Sequence, residues 1–233
     1  MLEIQNLNAS YGQAQVLFNV SFVVSRGNML LIRGLNGAGK SSLLKAIMGL
    51  MPQSTGNLLW LGQALHPLSP HQRSLKGIGY VPEDRRLFSA LTVRQNLEIA
   101  IPSLPKLRPD GQPGLNLQEV LDLFPSLATM LERPAAQMSG GEQQMLAIGR
   151  TLMTQADVLI LDEPCEGIAP VLVQAIARAL AKLKSQGYTF LIAEQNQTLT
   201  AMADKVLTLS GGVIQESNEP DHHVYPDTSA PSN

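Results

Sequence analysis

Apolar and polar residues follow a rhythm that changes several times along the chain. Leu2, Ile4 and Leu7 are separated by polar residues, and Gln15 to Val24 is rich in Val and Phe, which predicts two or three strands before residue 34. Continuous apolar runs at Met29-Leu30-Leu31-Ile32 and Val158-Leu159-Ile160-Leu161 have the length and content of strands buried on both faces of a parallel sheet. Gly56 to Leu61, Gly77 to Val81, Tyr188 to Ala193 and Lys205 to Leu209 read as further strands, with Pro67, Pro70 and His71 marking a loop between the first two. Helical spacing is expected over Ser42 to Met48, stopped by Gly49, over Glu142 to Met153 and over Pro170 to Ser185. Between residues 87 and 137 the character turns helical. Thr92 with Gln95 makes a capping box for a helix to about Ile99, a Pro/Gly-rich connection runs from Pro102 to Gly114, and Leu117, Val120, Leu121 and Phe124 share one face of a second helix. The pattern predicts an α/β domain over 1–215. Its core spans 1–86 and 138–215, a helical subdomain is inserted at 87–137, and a disordered tail of three prolines and no apolar periodicity fills 216–233.

Candidate chemistry sits where the runs end. Residues 34 to 42, Gly-Leu-Asn-Gly-Ala-Gly-Lys-Ser-Ser, fit the phosphate-binding pattern G-x-x-x-x-G-K-[ST] and stand between a predicted buried strand and a helix. Glycines let the backbone wrap closely around oxygen atoms and turn amides toward them, Lys40 offers a cation to β and γ phosphates, and the Ser41 hydroxyl is a Mg²⁺ ligand. The helix N-terminus adds its free amides and dipole. Val158 to Leu161 delivers Asp162 and Glu163 to the ligand-binding edge of a parallel sheet, Asp162 to hold Mg²⁺ through water and Glu163 to orient or deprotonate an attacking water. Adjacent acids at a strand end are also an ordinary solvated turn. Met138-Ser139-Gly140-Gly141-Glu142-Gln143 opens another helix with a second anion-binding nest, or with nothing more than a helix cap. Tyr11, before the phosphate loop, offers a ring for a purine, although a Tyr beside a Gly is commonly a turn residue.

Composition narrows the partners. A net charge of −2 with 15% charged residues argues against a basic nucleic-acid surface, and so low a charged fraction fits a surface partly covered by another protein. No apolar run reaches bilayer length and the N-terminus lacks a basic-then-apolar signal, so a cytoplasmic protein is expected. The single cysteine, Cys165, forms no internal disulfide, and no nearby base or metal-ligand spacing makes it reactive. His222-His223 lacks further metal ligands, and Arg85-Arg86 is either a membrane-facing contact or a solvated pair.

Taken together, Tyr11, the phosphate loop, Met138-Ser139-Gly140-Gly141-Glu142 and Leu161-Asp162-Glu163 resemble, in order and over nearly the whole chain to about Gln215, the nucleotide-binding subunit of ATP-binding cassette (ABC) transporters. The resemblance implies a RecA-like P-loop core with an N-terminal antiparallel β subdomain and an inserted helical subdomain. It also implies ATP and Mg²⁺ as cofactors and two cassettes packed head to tail. Each ATP then lies between Gly34, Leu35, Asn36, Gly37, Ala38, Gly39, Lys40, Ser41 and Ser42 of one subunit and Ser139, Gly140, Gly141 and Glu142 of the other, with Tyr11 on the adenine.

Three positions depart from the family pattern. Glu83 stands where a Mg²⁺-reaching glutamine is usual, Gln195 where a switch histidine contacts the γ-phosphate, and Ala169 where an aspartate is common. Glu83 remains an oxygen ligand, and Gln195 an amide donor that carries no proton at neutral pH. The runs Val81 to Arg86, Gly141 to Arg150, Gly167 to Pro170 and Glu194-Gln195-Asn196 are similar to the branched-chain amino acid importer ATPases, most of all to the second of their two ATPase subunits. Cys165 to Ile168 and Pro70 to Arg73 are similar to the urea importers. This likeness implies a partner ATPase of different sequence, permease subunits that receive the helical subdomain, indirectly a solute-binding protein, and a place on the cytoplasmic face of the cell membrane. A soluble ABC ATPase acting on DNA or ribosomes is the reading from another class. The single cassette and the lack of a long coiled-coil insertion count against it.

Overall fold

A computed structural model describes residues 1–103 and 107–215. In chain order the strands and helices are β1 (Leu2–Tyr11), β2 (Ala14–Val24), β3 (Met29–Arg33), α1 (Lys40–Met48), β4 (Gln53–Trp60), β5 (Gln63–Ala64), α2 (Pro70–Leu75), β6 (Ile78–Val81), α3 (Val93–Glu98), α4 (Leu117–Leu123), α5 (Pro125–Ala128), α6 (Gly140–Met153), β7 (Val158–Asp162), α7 (Pro170–Ser185), β8 (Thr189–Ala193), α8 (Gln197–Thr200), β9 (Lys205–Ser210) and β10 (Val213–Gln215). They build two sheets. An antiparallel sheet has the order β2-β1-β4-β5, and a six-stranded sheet the order β10-β9-β3-β8-β7-β6. In the second sheet β9, β3, β8, β7 and β6 are parallel and β10 returns antiparallel.

The continuous apolar runs explain the sandwich. β7 and β8 are buried at every position, so alternate residues must feed two cores. Met29, Leu31, Leu159, Leu161, Phe190 and Ile192 pack with α3, α4, α6 and α7. Leu30, Ile32, Val158, Ile160, Leu191 and Ala193 pack on the opposite face with β1, β2, α1 and Trp60. The inserted helices thus share a core with the sheet: Val93, Leu97, Val120, Phe124 and Leu127 belong to the same cluster as Leu159. A clamp at the sheet's other end holds the connection before α4. Arg108 is buried over the Tyr188 ring, 3.8 Å from its centroid, and its guanidinium meets Asp157 at 3.0 Å and Asp110 at 3.1 Å.

Some local readings change. Pro70 and His71, expected in a loop, open helix α2. Ser69 and Gln72 exchange side-chain-to-backbone bonds as a capping box, and Pro70 sits at the first helical position, where its missing N–H costs nothing. The helix after the phosphate loop begins at Lys40 rather than Ser42, and the one expected from Glu142 begins at Gly140. The two strands flanking the 61–77 segment go to different sheets, β4 to the antiparallel and β6 to the parallel one. The tail expected to be disordered, 216–233, lies outside the described residues. Among the described residues no helix is long and apolar enough to cross a membrane.

Candidate nucleotide site

β3, β7 and β8 are neighbours, and their C-terminal ends bring residues 34–41, 162–163 and 194–196 to one edge of the sheet. The loop after β3 requires its glycines. A Cβ on Gly34 would collide with the Leu209 carbonyl oxygen, and Gly37 and Gly39 hold left-handed φ values of 81° and 105°. Gly39 is the N-cap of α1, and no side chain caps that helix. Lys40 is buried, and its Nζ donates to the carbonyls of Gly34 at 2.8 Å and Leu35 at 3.3 Å and meets Glu163 Oε1 at 3.0 Å. A buried cation on a glycine-rich loop, at an uncapped helix N-terminus, fits phosphate oxygens.

On the other side of Lys40 the acids divide their work. Ser41 Oγ donates to Asp162 Oδ1 at 2.9 Å and the Tyr80 hydroxyl to Oδ2 at 3.1 Å. Burial pushes the Asp162 carboxyl above its ordinary range, against the restraint of those two hydrogen bonds, and burial beside Asp162 raises the Tyr80 phenol. Asp162 and Glu83 both line a recess of about 260 Å³ with Lys45. A hydroxyl and one or two carboxylates suit a hard cation that keeps several waters, as Mg²⁺ does.

Glu163 leaves β7 with a left-handed φ of 47°, its N–H donating to the Ala193 carbonyl at 2.9 Å. Burial pushes its carboxyl up, yet hydrogen bonds with Glu166 and Lys40 and the Lys40 charge hold it below the usual carboxylate range. Glu166 carries the complementary shift: its hydrogen bond to Glu163 and that neighbour's charge push it up to about 7. Their contact, with Lys40 on the other side, favours the ionised form of Glu163 and the protonated form of Glu166.

Most of these groups line one cavity of about 350 Å³: Asn36, Gly37, Gly39, Lys40, Ser41, Ser42, Glu83 and Glu163, joined by Val16 and Glu166. Neither Val16 nor Glu166 stands out in the sequence motifs. Val16 is one apolar residue among several in β2, whereas Glu166, three residues past Glu163, carries a signal in its spacing. Leu35, Ala38 and Gln195 line an adjoining cavity of about 600 Å³ with Arg33 and Thr208. Gln195 Nε2 donates to Asn36 Oδ1 at 3.4 Å, joining the segment after β8 to the phosphate loop. Tyr11 stands apart, half exposed at the β1–β2 hairpin and outside both cavities.

The Ser139 turn is elsewhere on the surface. Ser139 is exposed and Gly140 half-buried, whereas Gly141 is buried against Leu172 and Ile168, where an added Cβ would clash. Glu142 Oε2 accepts the Ser139 N–H at 2.7 Å, and Ser139 Oγ accepts the Glu142 N–H at 3.4 Å, so this helix closes its own cap. Arg85 lies beside it and donates to Gln144 Oε1 at 3.1 Å, while Arg150 donates to the carbonyls of Arg85 and Arg86 at 3.3 and 2.8 Å. Arg85 and Arg86 are held left-handed, at φ 60° and 47°. The arginine pair, expected to face a membrane or solvent, is thus tied through Arg85 to the start of α6.

A strand, phosphate loop and helix beside two strand-end acids, with a self-capped Ser-Gly-Gly helix and helices α3–α5 packed on it, define an ATP-binding cassette. Residues 17–166 match the ABC transporter family, and the chain belongs to it. It is 40% identical over 215 residues to the high-affinity branched-chain amino acid transport ATP-binding protein BraG of Pseudomonas aeruginosa, covering 92% of this chain and 91% of that protein. It is 36% identical to the probable branched-chain amino acid transport ATP-binding protein LivF of Archaeoglobus fulgidus, covering 92% of this chain and 90% of that one. Among solved structures, a nucleotide-free ATP-binding cassette from an ABC transporter superposes with a TM-score of 0.77 at 27% identity, covering 92% of this chain and 89% of that one. The chain is accordingly an ATPase of the transporter class, and its cofactor is ATP.

Proposed function

We propose that this cassette energises uptake of branched-chain or other neutral amino acids, as one of two ATPase subunits on the cytoplasmic face of a cell-membrane importer. The observation that carries the ATPase part is the convergence of Lys40, Ser41, Asp162 and Glu163 within hydrogen-bonding distance at one sheet edge. The names of the 40% and 36% identical relatives support the cargo class, a neutral amino acid in preference to urea.

Bound MgATP supplies the electrophilic phosphorus and the charge that Mg²⁺ neutralises. In this reading Lys40 would exchange its carbonyl partners for phosphate oxygens, while Ser41 and Asp162, with Glu83 at the recess, would hold the metal. Glu163, favoured in its ionised form by Lys40 and Glu166, would orient and deprotonate the attacking water. Gln195 would donate its amide to the γ-phosphate, and Tyr11, outside the two cavities, would stack on an adenine that reaches the β1–β2 hairpin. Ser139 to Glu142, with Ser139 exposed and the turn outside the lysine-loop cavity, would serve the nucleotide of a second cassette. An apolar groove of about 460 Å³ supports the permease contact. Leu50, Phe88, Ile99 and Ala100 line it between the 1–86 core and the 87–137 helices, and a cytoplasmic helix of a permease subunit would seat there.

Glu163→Gln tests the site. The variant is expected to bind ATP with affinity near wild type, accumulate as a closed dimer, and release phosphate about a hundredfold more slowly or worse. Phosphate release at the wild-type rate would remove Glu163 from its role. Uptake of radiolabelled leucine against radiolabelled urea, in cells producing the complete transporter, decides the cargo.

A further inference from the structure

Where β7 and β8 end, their ladder stops and their exit segments separate. The last backbone bond between them runs from Glu163 N–H to the Ala193 carbonyl at 2.9 Å. One residue later a side chain takes over. Glu194 is buried, 6% exposed, and its two oxygens face backbone donors of both segments. Oε2 accepts the Cys165 N–H at 2.9 Å, from the segment that carries Glu163. Oε1 accepts the N–H groups of Gln195 at 2.8 Å and Asn196 at 3.0 Å. The Glu194 N–H itself donates to the Ile32 carbonyl at 3.2 Å, which fixes its own position against β3.

We propose that Glu194 is the positioning residue that locks the Glu163 segment and the Gln195 segment into one rigid unit, so that the water-activating and γ-phosphate-sensing groups keep a fixed mutual geometry. This rests on the assignment of Glu163 and Gln195 above.

The chemistry selects a carboxylate. Three N–H donors converge on two oxygens, and only an ionised acid offers acceptors on both sides with no donor of its own. A glutamine would turn an NH₂ toward one of the segments and set donor against donor. A serine or alanine would span neither gap and leave buried N–H groups unpaired. Cys165 reports on the lock. It is the chain's only cysteine, it is buried, and burial followed by the charge and hydrogen bond of Glu194 pushes its thiol up to about 12.

The test compares Glu194→Gln with Glu163→Gln and wild type in the full-length chain. It reads three quantities: phosphate release from MgATP, ADP affinity by calorimetry, and the rate at which an aromatic disulfide reagent labels the thiol. For Glu194→Gln, kcat is expected to fall about tenfold or more with KM and ADP affinity within about twofold, while Cys165 labelling rises at least tenfold. Wild-type kcat, or unchanged labelling, would overturn the lock. So would a parallel loss of kcat and ADP affinity, since that signals loosening of the whole site rather than of two segments. If Glu163→Gln turns over normally, the assignment beneath the proposal fails. If Glu163→Gln is inactive and Glu194→Gln is normal, only the lock fails.

Discussion

Two helices of this protein begin with glycines after a turn, and they end up chemically opposite. At α1 the N-cap is Gly39, left-handed and without a side chain, so no acceptor of the chain's own closes the helix start. At α6 the N-cap is Ser139, and a full capping box with Glu142 occupies both reciprocal donors. A helix start left uncapped keeps its amides and dipole for an incoming anion, whereas a self-capped one gains stability alone and binds little unless a ligand displaces its internal partner. The difference explains how one chain carries two Gly-rich helix starts that do not compete for one phosphate. α1 is ready as it stands; α6 has its reciprocal donors already taken.

The comparison breaks most visibly at Lys40. Lys40→Ala removes the cation beside the uncapped start and is expected to weaken ADP binding about a hundredfold, read by calorimetry. Unchanged affinity would mean that α1 is not the phosphate end.

The glycines separate next. Gly34→Ala drives a methyl into the Leu209 carbonyl, a backbone atom that cannot turn away, and should cost about 3 kcal/mol. Gly141→Ala meets the end of the Leu172 side chain, which can rotate, and should cost about 1 kcal/mol. At about 3 °C of melting temperature per kcal/mol for a chain of this size, thermal unfolding distinguishes the two.

Ser139→Ala then tests the self-cap. It should lower stability by about 1 kcal/mol and leave ADP affinity of the isolated chain within about twofold, because the turn does not touch its own subunit's cavity. A large loss of ADP affinity would show the two helix starts sharing one site.

The last effect shows only at high pH and concerns the thiol between Glu163 and Glu166. The folded chain holds the Cys165 proton up to about pH 12, but the unfolded chain releases it near its ordinary value of 9.0. In that window the unfolded state binds fewer protons, so stability falls as pH rises, by up to about 1.4 kcal/mol per unit. The decline should be absent below pH 8. Cys165→Ala, compared with wild type by denaturant titration at pH 8 and pH 10, isolates that contribution.

How much of this is legible in the sequence depends on the range of the interaction. The phosphate loop, Asp162 and Glu163 are legible because each required residue lies within a few positions of the next and the flanking apolar runs fix strand and helix. The capping boxes at Thr92 and Ser139 are three-residue patterns and are equally visible. The one at Ser69 is masked because Pro67, Pro70 and His71 suggest a turn, although proline is at home in the first turn of a helix. Contacts made only by the finished fold leave no local trace. Arg108 finds Asp157 and Tyr188 across 49 and 80 positions, and nothing around any of them marks the clamp. Glu194 is visible as part of a short run, and Gln195 and Asn196 are its own neighbours, but the Cys165 N–H comes within its reach only because β7 and β8 are adjacent. Family membership is legible because the motifs occur in one order. Cargo is legible only through kinship, since the cassette's chemistry ends at the nucleotide.

The bend at Arg85 and Arg86 has an energetic meaning. Two successive residues with side chains are held in the left-handed region, each at a cost of about 1–2 kcal/mol, and Arg150 secures both carbonyls from the last turn of α6. Were Arg150 to let go, that segment could relax toward an ordinary right-handed turn, carrying Arg85 away from the head of α6 and Glu83 away from the metal-side recess. The bend between the nucleotide edge and the helical arm therefore stores a few kcal/mol of backbone strain that Arg150 holds in place.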